Sequence, residues 1–168
     1  MNTSRWSLTL LMLTAACVSV SAPAQQPAAA RPCSTPEHRQ FDFWLGDWEV
    51  QGPGGARAGS NRIESILNGC VLRESWQGTG GLNGTSLNLY APDGKWHQTW
   101  VDDRGNLLEL SGGLEEGKMV MRSAGKEVIH RITWSQLAPG RVRQLWESSR
   151  DGGKTWSVAF DGTYVRKS

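Results

Sequence analysis

The sequence predicts an all-β fold, an antiparallel up-and-down barrel of about 8–10 strands preceded by a short helix. Stretches of alternating polarity recur along residues 47–166, and Gly, Pro, Asn or Asp separates each from the next. Such short connections make neighbouring strands antiparallel, and closing a long meander removes its two edges. The 20 glycines and nine tryptophans suit tight turns and a large apolar interior. A two-sheet sandwich is the alternative.

The first 24 residues have the features of a secretory signal peptide. Arg5 forms a short basic region, a mostly apolar stretch follows, and Ala22-Pro23-Ala24 is an A-x-A cleavage site. The alternative is a lipoprotein signal with lipid on Cys17, although Thr14 stands where such signals normally have leucine. We therefore expect a periplasmic or secreted protein with no integral membrane segment after cleavage.

The rest of the chain is predicted to be a lead-in and one domain. Residues 25–33 are rich in Ala, Pro and Gln and should be disordered, and residues 34–168 suffice for one core. Lys and Arg number 18 against 16 Asp and Glu, a net charge of +2, with no basic block. The sequence therefore lacks the clustered positive charge that binding to nucleic acid requires. The sequence leaves the oligomeric state open.

A short helix is expected to lead into the first strand. Phe41, Trp44 and Leu45 recur at helical spacing and so share one helix face. Gly46 can end this helix because glycine adopts the left-handed cap conformation without strain. From Trp48 onward the period changes to two, which predicts a strand.

This transition from helix to strand carries a family resemblance. A short apolar helix that passes through Gly46-x-Trp48 into a first strand resembles the entry to a lipocalin-type barrel. The longer string Phe-Asp-Phe-Trp-x-Gly-x-Trp is similar to the opening of a group of small secreted bacterial proteins classed as a domain of unknown function. The resemblance spans about Cys33 to Lys167 and implies a lipocalin- or calycin-like fold, but no reaction. In lipocalins a late arginine crosses this tryptophan, so the resemblance implies that Arg166 stacks on Trp48.

The turn signals leave about ten strands, whose faces can be sorted by alternation. The strands are expected near 47–51, 60–67, 70–77, 85–91, 95–102, 106–112, 117–123, 127–135, 141–148 and 154–166. The tryptophan-bearing face of each strand is the apolar one and should point inward. The inward sets are Trp48 and Val50; Leu72, Glu74 and Trp76; Trp96, Gln98 and Trp100; Val128, His130, Ile132 and Trp134; Val142, Gln144 and Trp146; and Trp156, Val158 and Phe160.

These inward faces predict a binding site for a small, largely apolar ligand. A core built only for stability favours Leu, Ile and Val, which have no polar atoms. This interior instead has tryptophan walls with one polar side chain on each of four strands, as small-molecule pockets require. The predicted walls are Trp76, Trp96, Trp100, Trp134 and Trp146. The predicted polar anchors are Glu74, Gln98, His130 and Gln144. An internal network that only satisfies itself is the alternative.

Two further motifs predict structural features. Cys33 and Cys70 are the only cysteines left after signal cleavage, so export to an oxidising compartment predicts a disulfide between them, with two free thiols as the alternative. Residues 149–156 match the Asp-box pattern S-x-D-x-G-x-T-W at every fixed position. The resemblance implies a hairpin in which Asp151 caps the turn and Trp156 packs beneath it. One copy does not indicate a sialidase.

No catalytic or metal-binding residues are predicted. His38, His97 and His130 lie on separate elements, and the chain has neither Gly-x-Ser-x-Gly nor a phosphate loop. Two alternatives remain beside the binding protein. One is an enzyme with Glu74 and His130 as acid and base at the barrel mouth. The other is haem ligation by His130, because some ten-stranded calycin-like barrels bind haem through one histidine; otherwise no cofactor is expected.

Overall fold

The structure, a computed structural model, describes residues 32–168, so the predicted signal peptide and most of the lead-in lie outside the described residues. These residues form one closed antiparallel barrel in which each strand pairs with its sequence neighbours and β1 pairs with β10. The strands are β1 (Gly46–Gln51), β2 (Arg57–Ile66), β3 (Val71–Gly78), β4 (Asn83–Tyr90), β5 (Trp96–Asp102), β6 (Leu107–Glu115), β7 (Lys118–Arg122), β8 (Ile129–Ala138), β9 (Arg141–Ser149) and β10 (Ser157–Arg166). The up-and-down barrel is thus confirmed, and closure excludes the sandwich.

Two 3₁₀ helices, Pro36–Arg39 and Asp42–Trp44, stand where one helix was predicted. Phe41 and Trp44 are fully buried, and their rings stack with centroids 4.9 Å apart. Both rings also contact the indole of Trp134, at centroid distances of 5.2 Å and 5.4 Å. The N-terminal segment therefore fills the barrel at the end where β1 begins, which we call the closed end. Two further 3₁₀ helices, Pro53–Gly55 and Leu67–Gly69, lie in connections.

A disulfide and an arginine hold the chain together at the closed end. Cys33 and Cys70 form the predicted disulfide, with Cα atoms 5.0 Å apart, which ties the lead-in to the turn before β3. The guanidinium of Arg166 lies 4.4 Å from the ring centroid of Trp48. Its Nη2 also donates a hydrogen bond of 2.8 Å to the carbonyl oxygen of Leu45. Within residues 32–168, no helix is long and apolar enough to cross a membrane.

The start of β10 departs from the predicted alternation. The register shifts between Val158 and Phe160, because a bulge adds one residue to β10. Val158 therefore faces outward and is 62% exposed, whereas Phe160 faces inward. Trp156 is also outside the barrel, where the guanidinium of Arg131 lies 4.0 Å from its ring centroid. The inward placement of Trp156 and Val158 was wrong.

The Asp-box hairpin connects β9 to β10. Oδ1 of Asp151 accepts hydrogen bonds from the backbone N–H groups of Lys154 and Thr155, each of 2.9 Å. Its Oδ2 accepts one from the Thr155 hydroxyl. These bonds, first that from the Thr155 hydroxyl, lower the pKa of Asp151 to about 2. The indole N–H of Trp156 donates to the carbonyl of Gly153, 3.0 Å away, so the motif satisfies its own polar groups.

Candidate functional site

The barrel interior contains a cavity of about 210 Å³ at the end away from the aromatic plug. Its position follows from strand direction. Leu72 and Trp96 lie at or near the start of β3 and β5, at the closed end, whereas Trp76 and Trp100 come late in these strands. We call this the open end, because the large rings that line it are only partly buried. The cavity is lined by Glu74, Trp76, Leu82, Gln98, Trp100, Leu108, Ile132, Gln144, Trp146, Ala159, Phe160 and Tyr164.

Glycines on the inner face provide space for three of these rings. A Cβ atom at Gly59 would lie 2.7 Å from the indole of Trp76, and one at Gly84 would lie 2.3 Å from that of Trp100. A Cβ at Gly162 would come within 2.5 Å of the Phe160 ring. The rings therefore lie directly against backbone at the barrel wall, which leaves the centre of the open end unfilled.

Glu74 is the ionisable group at the centre of the polar side of this cavity. The residue is 4% exposed. Oε1 accepts a hydrogen bond of 2.6 Å from Nδ2 of Asn61, and Oε2 accepts one of 2.6 Å from the Ser86 hydroxyl. Burial raises the pKa of Glu74, and these two hydrogen bonds oppose the rise. No ion pair within residues 32–168 includes this carboxyl group.

One branch of the network runs from Asn61 on β2 past β1 to Tyr164 on β10 and Gln144 on β9. Nδ2 of Asn61 also lies 3.2 Å from the hydroxyl oxygen of Tyr164, to which it donates. The Tyr164 hydroxyl in turn donates to Oε1 of Gln144. Burial first, and the charge of Glu74 second, raise the pKa of Tyr164 well above its usual value. Tyr164 therefore acts as a neutral phenol that orients Gln144.

The other branch orients Gln98. Nδ2 of Asn88 donates to the Ser86 oxygen at 2.9 Å and to the Leu72 carbonyl at 3.1 Å, so Oδ1 of Asn88 faces Gln98. Nε2 of Gln98 donates to that oxygen at 2.8 Å. Among the described residues, Oε1 of Gln98 and Nε2 of Gln144 have no hydrogen-bond partner, although both residues line the cavity. The network satisfies itself in part and still leaves an acceptor and a donor for a ligand.

Six of the nine predicted ligand-binding residues line the cavity, namely Glu74, Trp76, Gln98, Trp100, Gln144 and Trp146. Trp96 and Trp134 do not, because the N-terminal segment packs against them at the closed end and buries them almost completely. His130 is also absent from the lining. Its Nδ1 accepts a hydrogen bond of 2.9 Å from the indole N–H of Trp146, so it positions a wall residue. Burial, with a smaller contribution from Arg150, lowers the pKa of His130.

The alternatives that depend on His130 gain no support from this geometry. Glu74 is bonded to an amide and a hydroxyl, and no hydrogen bond joins it to His130 among the described residues. The same part of the chain contains no group of three or more His, Cys, Asp or Glu side chains arranged to hold a metal ion. Within residues 32–168, Glu74 and His130 therefore form no directly hydrogen-bonded pair.

The sequence analysis did not predict four residues of the hydrogen-bond network around Glu74, namely Asn61, Ser86, Asn88 and Tyr164. Asn61 was detectable, since it alternates with Gly59 and Ile63 on the inner face of β2. Ser86 and Asn88 were not, because the apolar residues of β4 lie on its outer face.

Comparisons with known proteins add no family to this description. No protein-family model matches the chain, and no curated protein matches it. The lipocalin-like and domain-of-unknown-function resemblances therefore stay predictions from the residues that carry them.

Proposed function

We propose that this protein binds a small, largely apolar molecule in the open end of its barrel. The observation that carries the proposal is the cavity of about 210 Å³, which has aromatic walls and unpartnered hydrogen-bonding atoms on Gln98 and Gln144. An apolar cavity of about 150 Å³ is enough to bind benzene. The volume here suits a compound of one or two small rings, and it is small for haem.

The rigidity of the walls supports a binding role. Trp76, Trp100 and Phe160 lie against glycine backbone, and the indole of Trp146 is held by His130. A pocket whose side chains are already ordered loses less conformational entropy when a ligand binds. These restraints favour recognition of one class of molecule over general storage of apolar compounds.

Two features at the closed end support a lipocalin-like protein that works outside the cytoplasm. The contact between Arg166 and Trp48 is the one that the resemblance implies. The disulfide between Cys33 and Cys70 is typical of an oxidising compartment and agrees with the predicted export signal. We therefore propose a periplasmic or secreted binding protein.

Native mass spectrometry of protein purified from its own cell envelope or medium tests the proposal. Leu108 lines the cavity, so the larger side chain of Leu108→Trp should fill it. The spectrum of this variant should then lack the added mass of a retained ligand. Leu107→Trp is the matched control, because this neighbouring side chain lies on the outer face and is 63% exposed. Both variants should keep the circular dichroism spectrum of a folded barrel. Equal ligand retention by the two variants would place binding outside the cavity and contradict the proposal.

A further inference from the structure

We infer that the ligand of this cavity carries a positive charge, as an amine or another organic cation, which pairs with Glu74. The inference rests on the proposed binding function and names the chemical class of its ligand.

The first argument is the missing counter-charge of Glu74. Its carboxyl group lies in the cavity wall with 4% of the residue exposed, and its hydrogen-bond donors, Asn61 and Ser86, are neutral. The arginines of the described residues that form ion pairs do so with other carboxylates. A buried carboxylate is unfavourable without a cation, and removing water from it strengthens its attraction for one that arrives.

The second argument is the charge of the rest of the lining. Tyr164 is the only other titratable residue among those that line the cavity, and its raised pKa keeps it neutral. Asn61, Ser86, Asn88 and Gln98, which complete the network, carry no charge. The lining is therefore neutral or negative at every physiological pH. A carboxylate or phosphate ligand would meet no cation there and would oppose Glu74.

The third argument is the choice of wall residues. Trp76, Trp100 and Trp146 surround the same cavity, and the faces of indole rings attract ammonium groups more strongly than those of other aromatic side chains. The free Oε1 of Gln98 adds a hydrogen-bond acceptor for an N–H group. An aromatic enclosure with a carboxylate and a carbonyl oxygen fits a protonated amine better than a neutral hydrocarbon.

A purely structural role does not require a carboxyl group at this position. A glutamine has nearly the same size and could still accept the hydrogen bond from Asn61 through Oε1, although its amide would compete with Asn88 for the Ser86 oxygen. The property that Glu74 adds to these contacts is its negative charge. Glu74→Gln is therefore the informative substitution, because it removes the charge and preserves the size of the side chain.

Three probes of similar size but different charge test the inference: 2-phenylethylamine, 2-phenylethanol and phenylacetate. Each is titrated into the mature protein by calorimetry near neutral pH. We expect the amine to bind about tenfold or more tightly than the alcohol, as a charged hydrogen bond implies, and phenylacetate to bind most weakly. Glu74→Gln should bring the amine to the affinity of the alcohol. Unchanged alcohol binding by this variant would show that its cavity is intact.

A second measurement needs no substitution. The affinity of the wild-type protein for 2-phenylethylamine should fall as the pH is lowered and Glu74 takes up a proton. The affinity for 2-phenylethanol reports in parallel the effect of protonating His130, whose Nδ1 accepts the hydrogen bond from the Trp146 indole, and it should fall less than that of the amine. The amine remains protonated throughout an acid titration. Tyr164, the other titratable group of the lining, remains neutral across the same range.

The outcomes separate the inference from the function on which it rests. Phenylacetate binding as tightly as the amine, or an amine preference that survives Glu74→Gln, would overturn the inference and leave the binding function standing. A retained natural ligand without a basic group would do the same. If no probe binds, and if Leu108→Trp and Leu107→Trp do not differ in retained ligand, both proposals are wrong.

Discussion

The guanidinium of Arg166 occupies the space in which a side chain at Gly46 would lie. A Cβ atom at Gly46 would be 2.0 Å from Nη1 of Arg166, and the backbone φ of Gly46 is +136°. The same guanidinium lies 4.4 Å from the ring centroid of Trp48. Gly46, Trp48 and Arg166 thus pack against one another, although Gly46 and Arg166 are 120 positions apart in the sequence.

Substitution of Gly46 should displace the arginine from the tryptophan. We expect Gly46→Ala to lower the free energy of unfolding by about 1–3 kcal/mol through backbone strain, and to lose the cation–π contact as well. Arg166→Ala alone should lose about 0.5–2 kcal/mol. Urea unfolding of both variants and of the double variant measures the coupling. The double variant should lose less than the sum of the two, and full additivity would show that the side chain at position 46 does not disturb Arg166.

Reduction of the disulfide should destabilise the barrel without opening it under native conditions. Cys33 and Cys70 are 37 positions apart in the sequence, and closing a loop of this length contributes about 3–4 kcal/mol to stability in the loop-entropy description. Denaturant unfolding with and without reductant measures the loss. The variant with serine at both positions is the control, because reductant should not change its midpoint. A wild-type midpoint that is insensitive to reductant would contradict the prediction.

The stability difference between Glu74→Gln and the wild type should depend on pH. Burial raises the pKa of Glu74 in the folded protein, so the unfolded chain releases this proton first as the pH rises. Protonated Glu74 contributes its full share of folding stability below the unfolded pKa of about 4.3. As the pH rises from there to the folded pKa, this contribution decreases by about 1.4 kcal/mol for each pH unit. The ligand-free variant should therefore gain stability relative to the wild type above about pH 4.3.

Urea unfolding between about pH 4 and pH 8 measures this difference. Glu109→Gln is the control, because Glu109 is exposed on the outer face of β6. A difference between Glu74→Gln and the wild type that stays constant over the whole range would show that Glu74 titrates at the same pH in the folded and unfolded states.

Asp151 should titrate at an unusually low pH. Its hydrogen bonds, led by that from the Thr155 hydroxyl, lower its pKa to about 2. The stability that depends on ionised Asp151 is present above its unfolded pKa of about 3.9 and is lost as the pH falls toward the folded value. Carboxyl-carbon NMR should give a midpoint near 2 in the wild type. Thr155→Val should raise it, and an ordinary midpoint in the wild type would contradict the hairpin geometry.

The strand order of the barrel could be predicted because it depends on local signals. Turn residues such as Pro92-Asp93-Gly94 mark the reversals, and the connections are too short for any pairing other than with the next strand. The disulfide could be predicted because only two cysteines remained.

The lining of the cavity could be predicted only in part, because it depends on distant segments. Trp76 and Trp96 occupy similar positions in an alternating pattern, but the plug formed by residues 41–44 fills the end that contains Trp96. On β4 the usual pattern is inverted, since Ser86 is buried and Leu87 is 47% exposed. Polarity alone therefore assigns the wrong face to this strand, and only the partner of Ser86, the carboxyl group of Glu74, explains its orientation.

The anchoring of the closed end has a practical consequence for handling the protein. The disulfide of Cys33 holds the start of the described chain at that end, and β10 returns to it at Arg166. A fused reporter or a chemical linker attached next to Cys33 or next to Arg166 would therefore lie on the side away from the cavity. Protein attached to a sensor chip through one of these two positions should keep the open end of the barrel facing the solution, where ligand can enter and leave.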